Sequence, residues 1–377
     1  MAEIKKWLRE YFRRLDKPLL VLVTAAVLYG CAVQYSEMYA GFISRRAFYT
    51  QLAASGIGIA VMLLMAEVDY RRLAASWKVH LPVTLGLTFV TFTSLPIVYR
   101  PAGSDDSAWL RIGALSVQPG ELLKFSFILT FAYHLDRVSE EVNQPRSVLL
   151  LCLHGAAPCL LIFLQGDMGS ALVFFLIFLC MMFISGLSWK YILFGAAVIA
   201  AAVPIVWFSG LIPDYLKNRF LVLGNLENAP LKEAYQQLVG RRILGSGMAF
   251  GHGMRSDSFE YVYAIENDLV LAHIGQALGF VGTAATLLIL TAICGKILLA
   301  ARSSRDFLGS SICTGVFAML FFQSALNIGM VLGVLPVIGV TLPFFSQGGS
   351  SLVTSCLSMG LCMSVSAASR GMRRNRR

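Results

Sequence analysis

GSALVFFLIFLCMMFISGL, from Gly169 to Leu187, runs nineteen residues without a charge. At the helical rise it covers about 28 Å, close to the ~30 Å hydrocarbon thickness of a bilayer, and it reads as a membrane span. Working outward, further apolar runs centre on residues 19–35, 49–67, 79–98, 120–135, 147–164, 191–212, 269–295, 307–335 and 348–367. The pattern predicts an all-α integral membrane protein with about ten transmembrane helices. The first run, about Leu19–Val33, follows a basic stretch but lacks a small-residue cleavage site, and reads as a retained span.

Composition agrees. The chain is 57% hydrophobic and 14% charged, with a mean hydropathy of +0.70, which excludes a water-soluble globular enzyme. The net charge of +10 does not point to nucleic acid, because the basic residues sit in short segments flanking the spans. Eight cysteines fall in or beside apolar runs with no CxxC pair, so neither a disulfide framework nor a zinc site is indicated.

Three regions follow. Residues 1–17 place Ile4, Trp7, Leu8, Tyr11, Phe12 and Leu15 at helical spacing opposite Lys5, Lys6, Arg9, Arg13 and Arg14, an amphipathic segment suited to a headgroup layer. Residues 18–368 form the membrane domain, with a large outer loop at 213–267, and 369–377 are a basic tail. With both termini cytoplasmic, inside segments hold twenty Lys and Arg against four in the short outside loops, which sets the orientation. The outer loop contains a helix-compatible stretch, Leu231–Leu244, and a Gly-rich turn, Gly245–Gly253, expected to fold onto the outer face.

Ionisable groups in spans need a structural partner or a chemical role. Glu121 and Lys124 share a helix face at i, i+3, either as a structural ion pair or as a lysine reaching a lipid pyrophosphate with Glu121 orienting it. Asp167, in QGDMGSALV, is an N-cap or a site residue. Asp268 opens the eighth run in ENDLVLAHIG, where the helix dipole favours an acid whatever its role. Gly275-xxx-Gly279 and Gly329-xxx-Gly333 read as helix-packing surfaces. The five histidines form no metal-ligand set, with four expected to be satisfied singly and His273 worth watching near Asp268. No phosphate-binding loop for a nucleotide occurs. LPVIGVTLPFFSQGGSSL, from Leu335 to Leu352, would break a span at Pro336, Pro343 and Gly348-Gly349, and predicts a re-entrant or outer-mouth loop. Its backbone donors and the Ser350 and Ser351 hydroxyls suit an anionic headgroup.

From Asn327 to Ser351, NIGMVLGVLPVIGVTLPFFSQGGSS resembles the signature of the RodA/FtsW (SEDS) family of lipid-linked cell-wall polymerases. Other landmarks follow in family order: Trp109 with Arg111-Ile112-Gly113, Gln118-Pro119-Gly120-Glu121 with Lys124, Gln165-Gly166-Asp167, Tyr235-Gln236 with Gly245-Ser246-Gly247, and Asp268 with Leu278-Gly279. Departures are Ala108, Gly120, Gly166 and Val239-Gly240, and Gln276 and Ala277 in place of two glutamates typical of the family. The resemblance implies a bacterial inner-membrane glycosyltransferase that polymerises lipid II into β-1,4 glycan strands on an undecaprenyl-linked glycan, with a class B penicillin-binding protein as partner. It implies Asp268 as the catalytic acid and Trp109 as a residue needed for activity. In that chemistry Asp268 takes the proton from an attacking sugar hydroxyl. Lys124, Arg111, Arg241-Arg242 or a divalent cation (Mg or Mn) would offset charge on the pyrophosphate leaving group. The short termini favour an elongation, cell-shape member over a division one. A lipid II flippase, or an FtsW-like division synthase or scaffold, is the alternative.

Overall fold

A computed structural model describes residues 11, 13–100, 108–113, 115–210, 214–221, 223 and 231–374. Most of the amphipathic N-terminal segment, including Ile4, Trp7, Leu8 and Phe12, lies outside the described residues. Of the remainder, Tyr11 and Leu15 are buried, and the Tyr11 hydroxyl donates to the Leu63 carbonyl at 2.8 Å.

Several helices start where side chains or prolines satisfy or dispense with the first N–H groups. Helix α1 (Lys17–Tyr39) is capped by Asp16, which accepts from the Leu19 N–H, and α2 (Arg45–Met65) by Ser44, which accepts from Ala47. A short α3 (Tyr70–Ala75) leads into α4 (Trp77–Val90). Strands β1 (Val98–Tyr99), β2 (Trp109–Ile112) and β3 (Leu115–Val117) form an antiparallel meander. Pro119 opens α5 (Pro119–Arg137), Pro145 opens α6 (Pro145–Leu164), and Asp167 caps α7 (Met168–Ile184). Then come α8 (Trp189–Phe208), α9 (Asp214–Leu221), α10 (Leu231–Ser246), α11 (Val270–Ser303), α12 (Phe307–Val331) and α13 (Gly349–Arg374).

Seven of these, namely α1, α2, α6, α8, α11, α12 and most of α13, are long and apolar enough to cross a membrane. The chain is a multi-pass, all-α membrane protein. The other three apolar runs also carry helices, but each is shortened or polarised. Helix α7 has 17 residues, α5 contains Glu121 and Lys124, and α4 has 14 residues, ending at Val90. The run expected over 79–98 is thus cut short, and Val98 already belongs to β1.

At one end of the bundle Asp16 meets Lys296 of α11 at 3.3 Å and also pairs with Arg370 of α13, tying three helices together. The candidate site lies at the opposite end, called the mouth side below. There α11 is interrupted at Gly279, whose φ of 66° is open to glycine. Such a break strands backbone groups, and the Gly-rich segment after α10 satisfies them. Met248 and Ala249 carbonyls accept from Phe280 and Val281, while His252 and Gly253 donate to Gln276 and Ala277. Gly279 therefore fits a backbone strap, and a Cβ there would fall 2.6 Å from the Ala249 carbonyl. Gly333, with φ of 74°, lies just past α12, so the second Gly-xxx-Gly pair marks a chain reversal and not a helix-packing surface.

Candidate active site

The segment between α12 and α13 enters the mouth side as irregular backbone with Leu342, Phe344 and Phe345 buried. Buried peptide groups need partners, and here they come from all over the chain. Gln237 of α10 donates to Leu335 O at 2.6 Å, Arg219 of α9 to Val337 O at 2.9 Å, Asn327 of α12 to Val340 O at 2.7 Å, and Gln34 of α1 to Phe345 O at 3.2 Å. Leu342 N–H bonds Ser346 Oγ, Gln347 N–H bonds Glu266 O, and Gly348 N–H bonds Gln51 Oε1. The backbone donors expected to meet a headgroup are, at these positions, spent inside the protein. The first turn of α13 carries Ser350, half-buried, and Ser351, buried, and its helix N–H groups and dipole favour an anion.

Asp268 is held against this loop. The N–H groups of Asn267, Asp268 and Leu269 all donate to Ala264 O, and Asn327 Nδ2 donates to Asp268 O at 2.8 Å. Ser346 Oγ donates to Asn267 O at 2.5 Å. The residue capping α11 is Leu269, so Asp268 stands one position before the cap. That side chain is half-buried and faces the loop, since a Cβ at Gly339 would lie 3.8 Å from its Oδ2. Ala264 (φ 61°) and Phe344 (φ 70°) hold left-handed conformations on the two sides of this contact, a strained backbone of the kind found where geometry is fixed for function.

Asp167 reaches the same loop from α7. Its Oδ1 accepts from Ser170 N–H at 2.8 Å, as an N-cap should, and its Oδ2 accepts from Gln118 Nε2 at 2.7 Å. A Cβ on Gly169 would collide with Ile338 O, so α7 starts directly on the loop. Gln118 N–H in turn donates to Ser350 Oγ at 3.1 Å, and Ser351 Oγ lies 3.2 Å from Thr341 Oγ1. Asp167, Gln118 and Ser350 are thereby one hydrogen-bonded set, with the Ser351–Thr341 pair beside it.

The meander abuts this set through Ser116, whose carbonyl accepts from Ser350 Oγ at 3.4 Å. Trp109 is half-buried opposite Tyr99, and the Arg111 guanidinium sits 5.0 Å from the centre of the Tyr99 ring. Arg111 is thus oriented by an aromatic face on the rim. Glu121 and Lys124 pair at 2.8 Å, with Lys124 1% exposed, so in this conformation the ammonium is an internal partner of Glu121. Arg242 pairs with Glu260 at the surface.

Three features were not visible in the sequence. Gln276, where the family resemblance expects an acid, bonds Glu260 through both backbone N–H and carbonyl and also contacts His273 at 3.0 Å, which reaches Ser36. His134 and His154 are not satisfied singly: their Nδ1 atoms lie 3.1 Å apart, with Thr130 and Ser126 continuing a polar stripe on α5 that His154 of α6 and His80 of α4 join. Asn327 belongs to the quoted signature, but its joining of Asp268 to Val340 depends on acceptors distant in the chain. Among the described residues no group of three or more His, Cys, Asp or Glu could hold a metal ion.

Comparison with known proteins bears on this geometry. Residues 16–371 match the FtsW/RodA/SpoVE family, described as cell cycle proteins. The chain is similar to the peptidoglycan glycosyltransferase MrdB of Escherichia coli (strain K12), at 30% identity covering 93% of each chain. It is similar to a probable peptidoglycan glycosyltransferase FtsW of Geobacter sulfurreducens, at 29% identity covering 95% of this chain and 96% of the other. Among solved structures, a peptidoglycan synthase complex that coordinates polymerization and crosslinking superposes with a TM-score of 0.78 at 26% identity, over 94% of this chain and 98% of the other. The rod shape determining protein RodA of Thermus thermophilus superposes with a TM-score of 0.68 at 25% identity, over 93% and 96%.

Proposed function

The chain belongs to the FtsW/RodA/SpoVE family, and from that premise we propose that it polymerises lipid II into β-1,4 glycan strands with Asp268 as general base. It is a peptidoglycan glycosyltransferase of cell-wall synthesis, like the relatives it matches along almost its whole length. The observation that carries the assignment of the base is the fixed placement of Asp268, whose backbone is pinned by Asn327 and Ala264 while its carboxylate faces the loop at Gly339.

In this reading the mouth side is the outer face of the bacterial inner membrane and the end holding Asp16 and Arg370 is cytoplasmic, in line with the Lys/Arg distribution. Two lipid-linked sugars meet beside Asp268. The carboxylate accepts the proton as the acceptor hydroxyl attacks the anomeric carbon, the bond to pyrophosphate breaks, and attack from the opposite face inverts the centre. Ser350 and Ser351, with the first turn of α13, receive the pyrophosphate, while Asp167 and Gln118 hold Ser350 in place. Arg111 and Trp109 lie on the rim that the sugars cross, and Lys124 with Glu121 supports α5 beneath it. Among the described residues at the mouth, no three His, Cys, Asp or Glu side chains gather to hold a metal ion. Mg²⁺ or Mn²⁺ would enter chiefly on the phosphate oxygens and water.

The partner is a class B penicillin-binding protein, which crosslinks the strands. That relationship is supported by the likeness to a synthase complex coordinating both reactions. The RodA and MrdB likeness favours a role in elongation and cell shape, with an FtsW-like division role as the alternative. The deciding experiment is conversion of lipid II to glycan strands by the purified protein with and without the partner.

A specific observation keeps lipid II flipping as a second reading, because the stripe His80, Ser126, Thr130, His154 and His134 places polar groups at bilayer depth. Translocation of labelled lipid II in proteoliposomes, without polymerisation, separates the two.

A further inference from the structure

Glu37 and Glu266 are carboxylates that the polymerase reading leaves unused. Glu37 lies one turn beyond Gln34 on α1, is 0% exposed, and neither of its oxygens has a hydrogen-bond donor among the described residues. Gln34 Oε1, on a residue 1% exposed, and Glu266 Oε2 are buried and bare in the same way. The loop before α13 gathers these residues, since Phe345 O bonds Gln34, Gln347 N–H bonds Glu266 O, and Gly348 N–H bonds Gln51. Glu37 follows Gln34 by one turn on α1, and Glu266 is tied through its carbonyl to Gln347, two residues past the Phe345 carbonyl that Gln34 holds. No lysine or arginine pairs with either among the described residues.

Four bare acceptor oxygens around one stretch of the loop, residues 345–347, need donors or a cation. A single proton shared by the two carboxyls satisfies two oxygens at most and leaves the others desolvated without compensation. Gln51 Nε2 is bare as well, but an amide brings no charge to offset two carboxylates. A hard divalent cation takes six or more oxygens and neutralises both acids at once. We propose that Glu37, Glu266 and Gln34 Oε1 form an oxygen-ligated site for one hard divalent cation, completed by water, that clamps α1 to the segment preceding Asp268. The site is separate from any cation carried by a pyrophosphate, and its occupancy does not depend on the polymerase reading.

Binding is measured on full-length, metal-stripped protein in detergent by titration with Mn²⁺, reading free Mn²⁺ by electron paramagnetic resonance, with thermal unfolding recorded on addition of Mg²⁺ or Ca²⁺. The expected result is one Mn²⁺ per chain and a rise in Tm with Mg²⁺ or Ca²⁺. Glu37→Gln and Glu266→Gln should each weaken Mn²⁺ binding about tenfold or more and remove the Tm response. Glu140→Gln, an exposed acid at the opposite end, should change neither. Should Glu37→Gln fail to insert, Glu266→Gln, outside the spans, carries the same comparison. Parent protein that binds no more Mn²⁺ than the Glu266→Gln variant, with a Tm indifferent to divalent cations, overturns the proposal and leaves a protonated carboxyl pair.

Discussion

The side-chain amide of Asn327 is bonded to the backbone carbonyl of Asp268 at 2.8 Å, and the same nitrogen serves Val340 O at 2.7 Å. One nitrogen thus registers the segment before α11 against the loop before α13. Asn327→Ala would leave buried carbonyls without a donor, at a cost of ~1–3 kcal/mol for each such group. The acid would keep its identity and lose its position, and a displacement of about 1 Å is enough for a loss of about 10²-fold. The expected outcome is a fall in kcat of that order with a smaller change in KM, measured by lipid II polymerisation. A variant with parent kcat and parent Tm would show that the bridge neither holds the loop nor positions the acid.

Asp167 does two things that substitution can separate. Asp167→Asn keeps an oxygen for the Ser170 N–H but removes the charge facing Gln118, whereas Asp167→Ala removes the cap as well. The alanine variant should lose ~0.5–2 kcal/mol of stability and the asparagine variant much less. If the Asp167–Gln118–Ser350 set holds substrate, both should raise KM for lipid II. Parent KM in the asparagine variant, with a lowered Tm only for alanine, would reduce Asp167 to a helix cap.

Glu121 and Lys124 should behave as a unit, because they pair at 2.8 Å with both residues buried. Removing one partner strands the other charge, which typically costs ~3–5 kcal/mol, while replacing both with apolar groups of similar volume is often neutral. Thermal unfolding of Glu121→Leu, Lys124→Met and the double variant in detergent is the measurement. The double variant should melt closer to the parent than either single one does. If the double variant also retains activity, Lys124 has no part on the leaving-group side.

Asp306 supplies a pH test at the opposite end. Burial pushes its carboxyl up, but hydrogen bonds from Tyr70, the Gly309 N–H and Arg71 outweigh this and hold it below the usual carboxylate value. For a depressed acid the stabilisation is fully present above the unfolded value of about 3.9 and is lost as pH falls through the folded one. Asp306→Asn keeps the capping oxygen and loses the charge. Its Tm should lie below the parent's at neutral pH, and the gap should close as the pH is lowered below about 3.9. A gap independent of pH would assign the loss to geometry instead of ionisation.

The architecture was legible because bilayer thickness acts directly on sequence: an uncharged run long enough to cross declares itself, as residues 191–212 do in α8, whereas the helix on Gly169–Leu187 stops at Ile184 after 17 residues. Lateral neighbours are not encoded that way. The His134–His154 contact depends on which helix lies beside α5, and no periodicity within either run specifies it. Gly333 was misread as packing because a Gly-xxx-Gly spacing looks the same whether or not the helix has already ended. At the site, Asp268 and Asp167 stood out as acids in apolar surroundings, but the readable part was chemistry and not contacts. Asn327 acts on carbonyls 13 and 59 residues away. Glu37 gains meaning only beside Glu266, because the loop that holds Gln34 at Phe345 holds Glu266 at Gln347.

Asp268→Asn and Asp268→Ala should abolish polymerisation while leaving insertion and fold intact. The helix-dipole contribution of an acid near an N-terminus is only ~0.3–1 kcal/mol, and Asp268 stands before the cap of α11, which is Leu269. The contacts of this segment with Ala264 O and Asn327 Nδ2 use its backbone, and either substitution preserves them. An asparagine cannot accept the proton of the attacking hydroxyl, and loss of a general base typically slows a reaction by about 10²- to 10⁴-fold. Helix α11 offers no substitute, because Gln276 is bonded to Glu260 and His273, and Ala277 has no acid. The nearest alternative in sequence is Glu266, half-buried, with its carboxyl raised by burial. Glu266→Gln and the double variant are therefore the controls. Polymerisation by purified Asp268→Asn at near the parent rate, abolished only when Glu266→Gln is added, would move the catalytic role to Glu266. Equal activity in both the single and the double variant would remove this segment from the chemistry and turn attention to Asp167.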